Sequence, residues 1–195
     1  MYRHYSNKFE REIVIIHPGE YFASKDDLII STVLGSCVAV AFYDRSAGVG
    51  GLNHFMLAGD NNSGSIMSET GRYGMHAMEL VINAMLKLGA RRNTLRAKVF
   101  GGAHVLRTSP DGEATIPRSN VAFAMNYLET ENIEIESSDV GGTAGRKILF
   151  FPTSTRVLLK RITGALITDV EREEKQYLEQ IKKPKKPAGD EVTLF

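Results

Sequence analysis

Apolar residues in this chain come in short runs broken by turn chemistry. Cys37–Tyr43 is apolar at every position, the pattern of a strand buried on both faces. Leu28–Val33 is rich in β-branched residues and predicts the preceding strand, with Leu34-Gly35-Ser36 as the break. Asp44-Arg45-Ser46-Ala47-Gly48 reads as a turn. Val49–Leu57 returns as a strand in which Gly50-Gly51 marks a bulge or a close backbone approach. Ile13–Ile16, Leu95–Phe100, Ile133–Glu136, Arg146–Phe151 and Val157–Lys160 bring the total to about eight short strands.

Helical periodicity is clearest over 72–87, where Tyr73, Ala77, Leu80, Val81, Ala84, Met85 and Leu88 recur and Gly89 stops the helix. Asn120–Glu131 predicts a second helix with Val121, Ala124, Met125 and Leu128 inward. Residues 58–70 are too polar for a core and predict a loop beside a site. From Val170 the chain is highly charged and predicts one exposed helix. Lys182–Lys186 reads as a solvated linker, and Leu194-Phe195 as a fraying end. The sum is an α+β layered sandwich of mostly antiparallel strands with two main helices. The expected division is a flexible arm over 1–12, one domain over 13–162 and a charged extension over 163–195.

Composition narrows the function. A chain of 195 residues fits one domain, and a net charge of +1 gives no basic field for nucleic acid. The lone cysteine excludes an internal disulfide and a Cys-rich zinc site, and fits a reducing compartment. No apolar run reaches the ~18 residues of a membrane helix, and the N-terminus lacks a signal-peptide core. The expectation is a soluble cytoplasmic protein without membrane insertion.

Cys37 is followed seventeen residues later by His54. With the turn centred on Arg45-Ser46, position i pairs with 91 − i, and Cys37 lies directly opposite His54. A thiol beside an imidazole is the minimal cysteine nucleophile, although a free cysteine more often simply packs. Gly35 permits a sharp turn that aims the Ser36 and Cys37 amides at a developing oxyanion. Ser31 and Thr32, just upstream, offer a hydroxyl to hold the imidazole. Asn53 falls on the opposite face, and a bulge at Gly50-Gly51 would reverse the face of His54. His4, His17, His76 and His104 are scattered without metal-ligand spacing. The doublets Gly50-Gly51, Gly101-Gly102 and Gly141-Gly142 fit no phosphate-binding motif and read as tight turns. No cofactor and no metal are expected.

Thr32-Val33-Leu34-Gly35-Ser36-Cys37-Val38-Ala39-Val40 resembles the signature of the CheD family of chemoreceptor glutamine deamidases. So do Gly51-Leu52-Asn53-His54-Phe55-Met56-Leu57, Lys98–Ala103, Asn120 opening a helix, and Asp139-Val140-Gly141-Gly142 with Gly145-Arg146. The resemblance runs in order over residues 13–160. Ile116-Pro117-Arg118-Ser119-Asn120 departs from the family's Ile-Gly-x-Arg-Asn by a shifted arginine. The resemblance implies a CheD-type cysteine hydrolase fold and a protein-glutamine glutaminase with a Thr-His-Cys constellation. It implies a thioester at Cys37, ammonia release, and receptor cytoplasmic helices as substrate. The threonine is Thr32, or its place is taken by Ser31, which stands where some members carry it. A thiolate–imidazolium pair with a lowered thiol pKa is expected. The family also implies a second role, as a non-catalytic partner of a CheC-type response-regulator phosphatase.

Overall fold

The computed structural model describes residues 1–57, 69–105, 116–163 and 165–182. The expected loop, apart from residues 69 and 70, lies outside the described residues. So do 183–195, with most of the Lys-rich linker and the terminal Leu194-Phe195. The described strands are β1 (Tyr2–Ser6), β2 (Arg11–Ile15), β3 (Tyr21–Ser24), β4 (Ile29–Leu34), β5 (Val38–Asp44), β6 (Val49–Asn53), β7 (Arg96–Gly101), β8 (Glu134–Val140), β9 (Gly145–Phe151) and β10 (Arg156–Ile162). The α-helices are α1 (Glu69–Lys87), α2 (Ile116–Thr130) and α3 (Ala165–Lys182).

Two five-stranded sheets form, ordered β1-β2-β4-β9-β10 and β3-β6-β5-β7-β8. Pairing is antiparallel except for β2 with β4 and β7 with β8. One core joins the sheets: Ile30, Leu34, Ile148 and Phe150 of the first meet Ala39, Ala41, Leu52 and Phe100 of the second. The other face of the second sheet, with Val38, Val40, Phe42 and Val99, is covered by α1 and α2 through Met78, Val81, Phe123 and Leu128. This explains the unbroken apolar run of β5. It is the central strand of its sheet, with a core on each side. The layered α+β sandwich is as the sequence predicts.

Several local expectations are corrected. Residues 2–6, expected in a loose arm, pair with Arg11–Ile15 as an edge strand. β3 carries no strong signal because its residues are mostly half-buried. In α1 the inward face is rotated from the expected one: Met78, Val81, Ile82 and Met85 are buried, while Tyr73 is 38% exposed. Gly74 sits against Phe123 where a side chain would clash, which sets that rotation. The charged C-terminal helix is not exposed all round, because Val170, Glu174 and Leu178 are buried.

The hairpin register also differs. Tyr43 pairs with Gly50 and Ala41 with Leu52, so position i faces 93 − i rather than 91 − i. Ala39, not Cys37, therefore falls opposite His54, and Cys37 lies diagonal to it. The slip is two residues, so every side chain keeps its face. Gly50 and Gly51 pair regularly with Tyr43 and Phe42, without a bulge.

Asp44 causes the longer turn. Its Oδ1 accepts hydrogen bonds from Ser46 N (2.9 Å) and Ala47 N (3.1 Å), closing an Asx-type turn. Its Oδ2 accepts from Arg91 N (2.9 Å) and Thr94 Oγ1 (2.6 Å), tying the hairpin to the approach to β7. Burial alone would raise this carboxyl. The hydrogen bonds from Ser46, Thr94 and the Arg91 and Ala47 amides outweigh it and hold the group well below the usual range. A depressed carboxyl stabilises fully above its unfolded value near pH 4. That contribution is lost as pH falls further. Asp44→Ala should cost about 2–4 kcal/mol, from several lost bonds worth ~1 kcal/mol each and donors left unpaired. Urea melts at pH 7 and pH 3 check this, with the wild-type–variant gap narrowing at the lower pH.

Candidate active site

The site is built on the break between β4 and β5. Three successive carbonyls there are pinned from one side. Ala103 N donates to Gly35 O (2.7 Å), Asn120 Nδ2 to Ser36 O (2.9 Å) and Gly102 N to Cys37 O (2.7 Å). The amides of Gly35, Ser36 and Cys37 converge on the other side as an anion-binding nest. Gly101 makes the pinning possible: it has φ +112°, and a Cβ there would lie 2.2 Å from Cys37 O. Asn120 also accepts from Leu57 N through Oδ1 (2.8 Å), so one side chain ties the cysteine loop to the chain beyond His54. Two of the glycine doublets, Gly101-Gly102 and Gly141-Gly142, make tight turns with positive φ, whereas Gly50-Gly51, expected to do the same, lies within the regular pairing of β6. Gly141 N donates to Gly101 O (2.9 Å), and Gly142 O accepts from His104 N (2.8 Å). The buried Arg146 holds that turn through Asp139, Ala144 O and Gly141 O.

His54 enters from beyond β6, where Phe55 and Val38 still bridge the strands. Its Nδ1 lies 2.7 Å from Thr32 Oγ1, which donates its single proton to Ile16 O (2.7 Å). Thr32 must therefore accept from His54, and Nδ1 carries the ring proton. Nε2 is then a bare lone pair, buried and without a hydrogen-bond partner among the described residues. Ser31 faces the other way and donates to Ile148 O (3.0 Å). Strand alternation decides between the two hydroxyls, since Thr32 shares its face with Ile30 and Leu34 of the inter-sheet core. Asn53 points to α1, accepting from Val40 N and donating to Ala77 O.

Cys37 Sγ, a ring nitrogen of His54 and a carboxylate oxygen of Glu174 lie within 4.8 Å of one another. Glu174, on α3, fills the nest. Oε1 accepts from Gly35 N (2.9 Å) and Cys37 N (3.0 Å), and Oε2 from Ser36 N (2.8 Å) and Ser36 Oγ (2.7 Å). Gly35 is needed for this approach: a Cβ would lie 2.8 Å from Glu174 Oε2. These three residues are the described group with metal-like proximity. The carboxylate lone pairs are already spent on four N–H and O–H donors, which suits an anion nest rather than a cation site.

The electrostatics correct the expected ion pair. Burial, reinforced by the Glu174 charge, pushes the Cys37 thiol well up. Burial, with a smaller push from His17, lowers His54 to about 3. The pair is neutral in this arrangement, because a dry site penalises both charged forms.

Glu174 was not singled out by sequence reasoning, yet a signal exists. Ile167, Val170, Tyr177, Leu178 and Ile181 form one helical stripe, and Glu174 is the lone charge within it.

Comparison with known proteins bears on this site. The model of the CheD family, described as CheD chemotactic sensory transduction, matches residues 56–161, just over half of the chain. The probable chemoreceptor glutamine deamidase CheD 1 of Shewanella oneidensis is 44% identical over 194 residues, covering 99% of this chain and 92% of that protein. The probable chemoreceptor glutamine deamidase CheD of Cupriavidus metallidurans is 39% identical over 197 residues, covering 99% and 89%. The Bordetella avium protein of the same name is 48% identical over 160 residues, covering 82% and 70%. On the ordered motifs around Cys37 and His54, the matching family model and these near full-length relatives, this chain belongs to the CheD family.

Proposed function

We propose that this chain is a cytoplasmic chemotaxis enzyme that hydrolyses the side-chain amide of glutamines on chemoreceptor helices. The single observation that carries the mechanism is the Thr32–His54 hydrogen bond, which leaves Nε2 free as a base on a ring that lies near Cys37. Relatives named as chemoreceptor glutamine deamidases support the substrate.

In the proposed reaction the substrate carboxamide places its oxygen in the nest now holding the carboxylate of Glu174. His54 Nε2 takes the Cys37 proton as sulfur attacks the carboxamide carbon. The amides of residues 35–37 stabilise the oxyanion, a contribution on the order of 3 kcal/mol per donor. His54 returns the proton to the leaving nitrogen and ammonia departs. Water, activated by the same imidazole, cleaves the thioester to glutamate. Thr32 acts as a positioning residue, fixing the tautomer and ring plane.

None of these steps assigns a role to a metal or organic cofactor. The preformed nest and the oriented imidazole favour catalysis over a purely binding role beside a CheC-type phosphatase.

Cys37→Ser should melt within a few degrees of wild type and release no ammonia from a receptor cytoplasmic fragment. Wild-type protein should add about one dalton at specific receptor glutamines, as acyl transfer from nitrogen to oxygen requires. Mass spectrometry and an ammonia assay read both, and ammonia release by the serine variant would overturn the role of Cys37.

Thr32→Val should lower kcat roughly 10–100-fold through loss of imidazole orientation, by analogy with removing an outer-shell partner. Thr32→Ser should recover most of it, and Ser31→Ala should stay within about twofold while losing ~1 kcal/mol of stability. Steady-state kinetics beside thermal melts separate the two hydroxyls.

A further inference from the structure

The nucleophile of this chain is sealed. Cys37 is 0% and His54 2% exposed, and α3 forms one wall over them. A buried carboxylate is costly unless it is well hydrogen-bonded. Glu174 sits in the middle of an apolar helical stripe and is satisfied wholly by the nest that the proposed reaction needs. What fills the nest is chemically the product of glutamine deamidation, a glutamate side chain on a helix.

Contacts on both sides of Glu174 hold the helix there. His17 Nδ1 meets Glu173 Oε1 at 2.6 Å. The Tyr177 hydroxyl meets that of Tyr73, and the end of the Tyr177 side chain lies against Gly19, where a Cβ would come within 2.5 Å of the hydroxyl and 3.0 Å of the ring. Ile167 packs on Gly145, and Leu178 joins the inter-sheet core. These anchors come from β9, α1 and the loop after β2, so the helix is received by a surface and not merely draped on it.

We propose that α3 is a built-in competitive inhibitor, a helix that inserts Glu174 as a product mimic and is displaced when a receptor helix docks. This deepens the deamidase reading and rests on it. Two effects act together. The carboxylate blocks the position of the substrate carbonyl, and its charge adds to burial in keeping the Cys37 thiol protonated. β10 ends at Ile162 and α3 begins at Ala165, so the inhibitor is tethered close by. Short tethers give effective concentrations on the order of millimolar. The surface under α3 is then the receptor-helix site, read through the positions that hold Glu173, Glu174 and Tyr177.

The test uses the full chain at pH 7.5 and two readouts. One is carboxymethylation of Cys37 by iodoacetamide, which needs no receptor. The other is kcat/KM for deamidation of a receptor cytoplasmic fragment. Glu174→Ala should raise both by about tenfold or more, the factor reporting the ratio of docked to undocked helix. Tyr177→Ala, which leaves the nest intact, should raise both by a smaller factor and serves if the first variant folds poorly. Labelling that is unchanged or slower in both variants overturns autoinhibition. Ammonia absent from every variant while labelling still accelerates overturns the receptor-deamidase reading instead, and leaves the occluding helix in place.

Discussion

Everything in this site depends on where three backbone carbonyls go. The peptide groups of residues 35–37 are buried between two sheets, and buried carbonyls must find donors. They find them in Gly102, Ala103 and the side chain of Asn120. Once the oxygens are committed to one side, the amides are committed to the other. The nest follows from hydrogen-bond satisfaction in the core and needs no charged residue to build it. The same demand explains why distant segments carry the family's motifs. Gly101 clears space for Cys37 O, Arg146 steadies the turn that supports Gly101, and Asn120 links the two halves of the nucleophile–base pair.

Much of this was legible in the sequence, for reasons that can be named. Strand alternation has a period of two, so the hairpin arithmetic gave the right face for Cys37 and His54 despite the wrong register. Asp44 lengthened the turn by capturing the Ser46 and Ala47 amides, a detail that composition cannot reveal. The same period separates Thr32 from Ser31, but only once the inward face of β4 is fixed by Ile30 and Leu34 packing on the second sheet. The phase of α1 was missed because Tyr73 looked like a core residue, whereas Gly74 is the position pressed against Phe123.

What sequence reasoning missed, it missed by treating charge as solvation. Residues 170–182 are rich in Glu and Lys, and a charged segment is usually a solvated one. Here a single glutamate within an apolar stripe finds its partners 137 to 139 residues away along the chain. Such a contact leaves only a weak trace in the local pattern. The neutral Cys37–His54 pair has the same origin, because the dryness that disfavours an ion pair comes from the packing of α3 and both sheets.

The composition of the nest has a kinetic consequence. All four donors are neutral, and together they donate to the two oxygens of one carboxylate. A carboxamide offers one such oxygen, and its –NH2 has no lone pair for the Ser36 amide. In the proposed reaction the nest therefore grips what has been made more firmly than what is yet to be converted. Departure of the modified helix then has to break more hydrogen bonds at the nest than departure of an unmodified one.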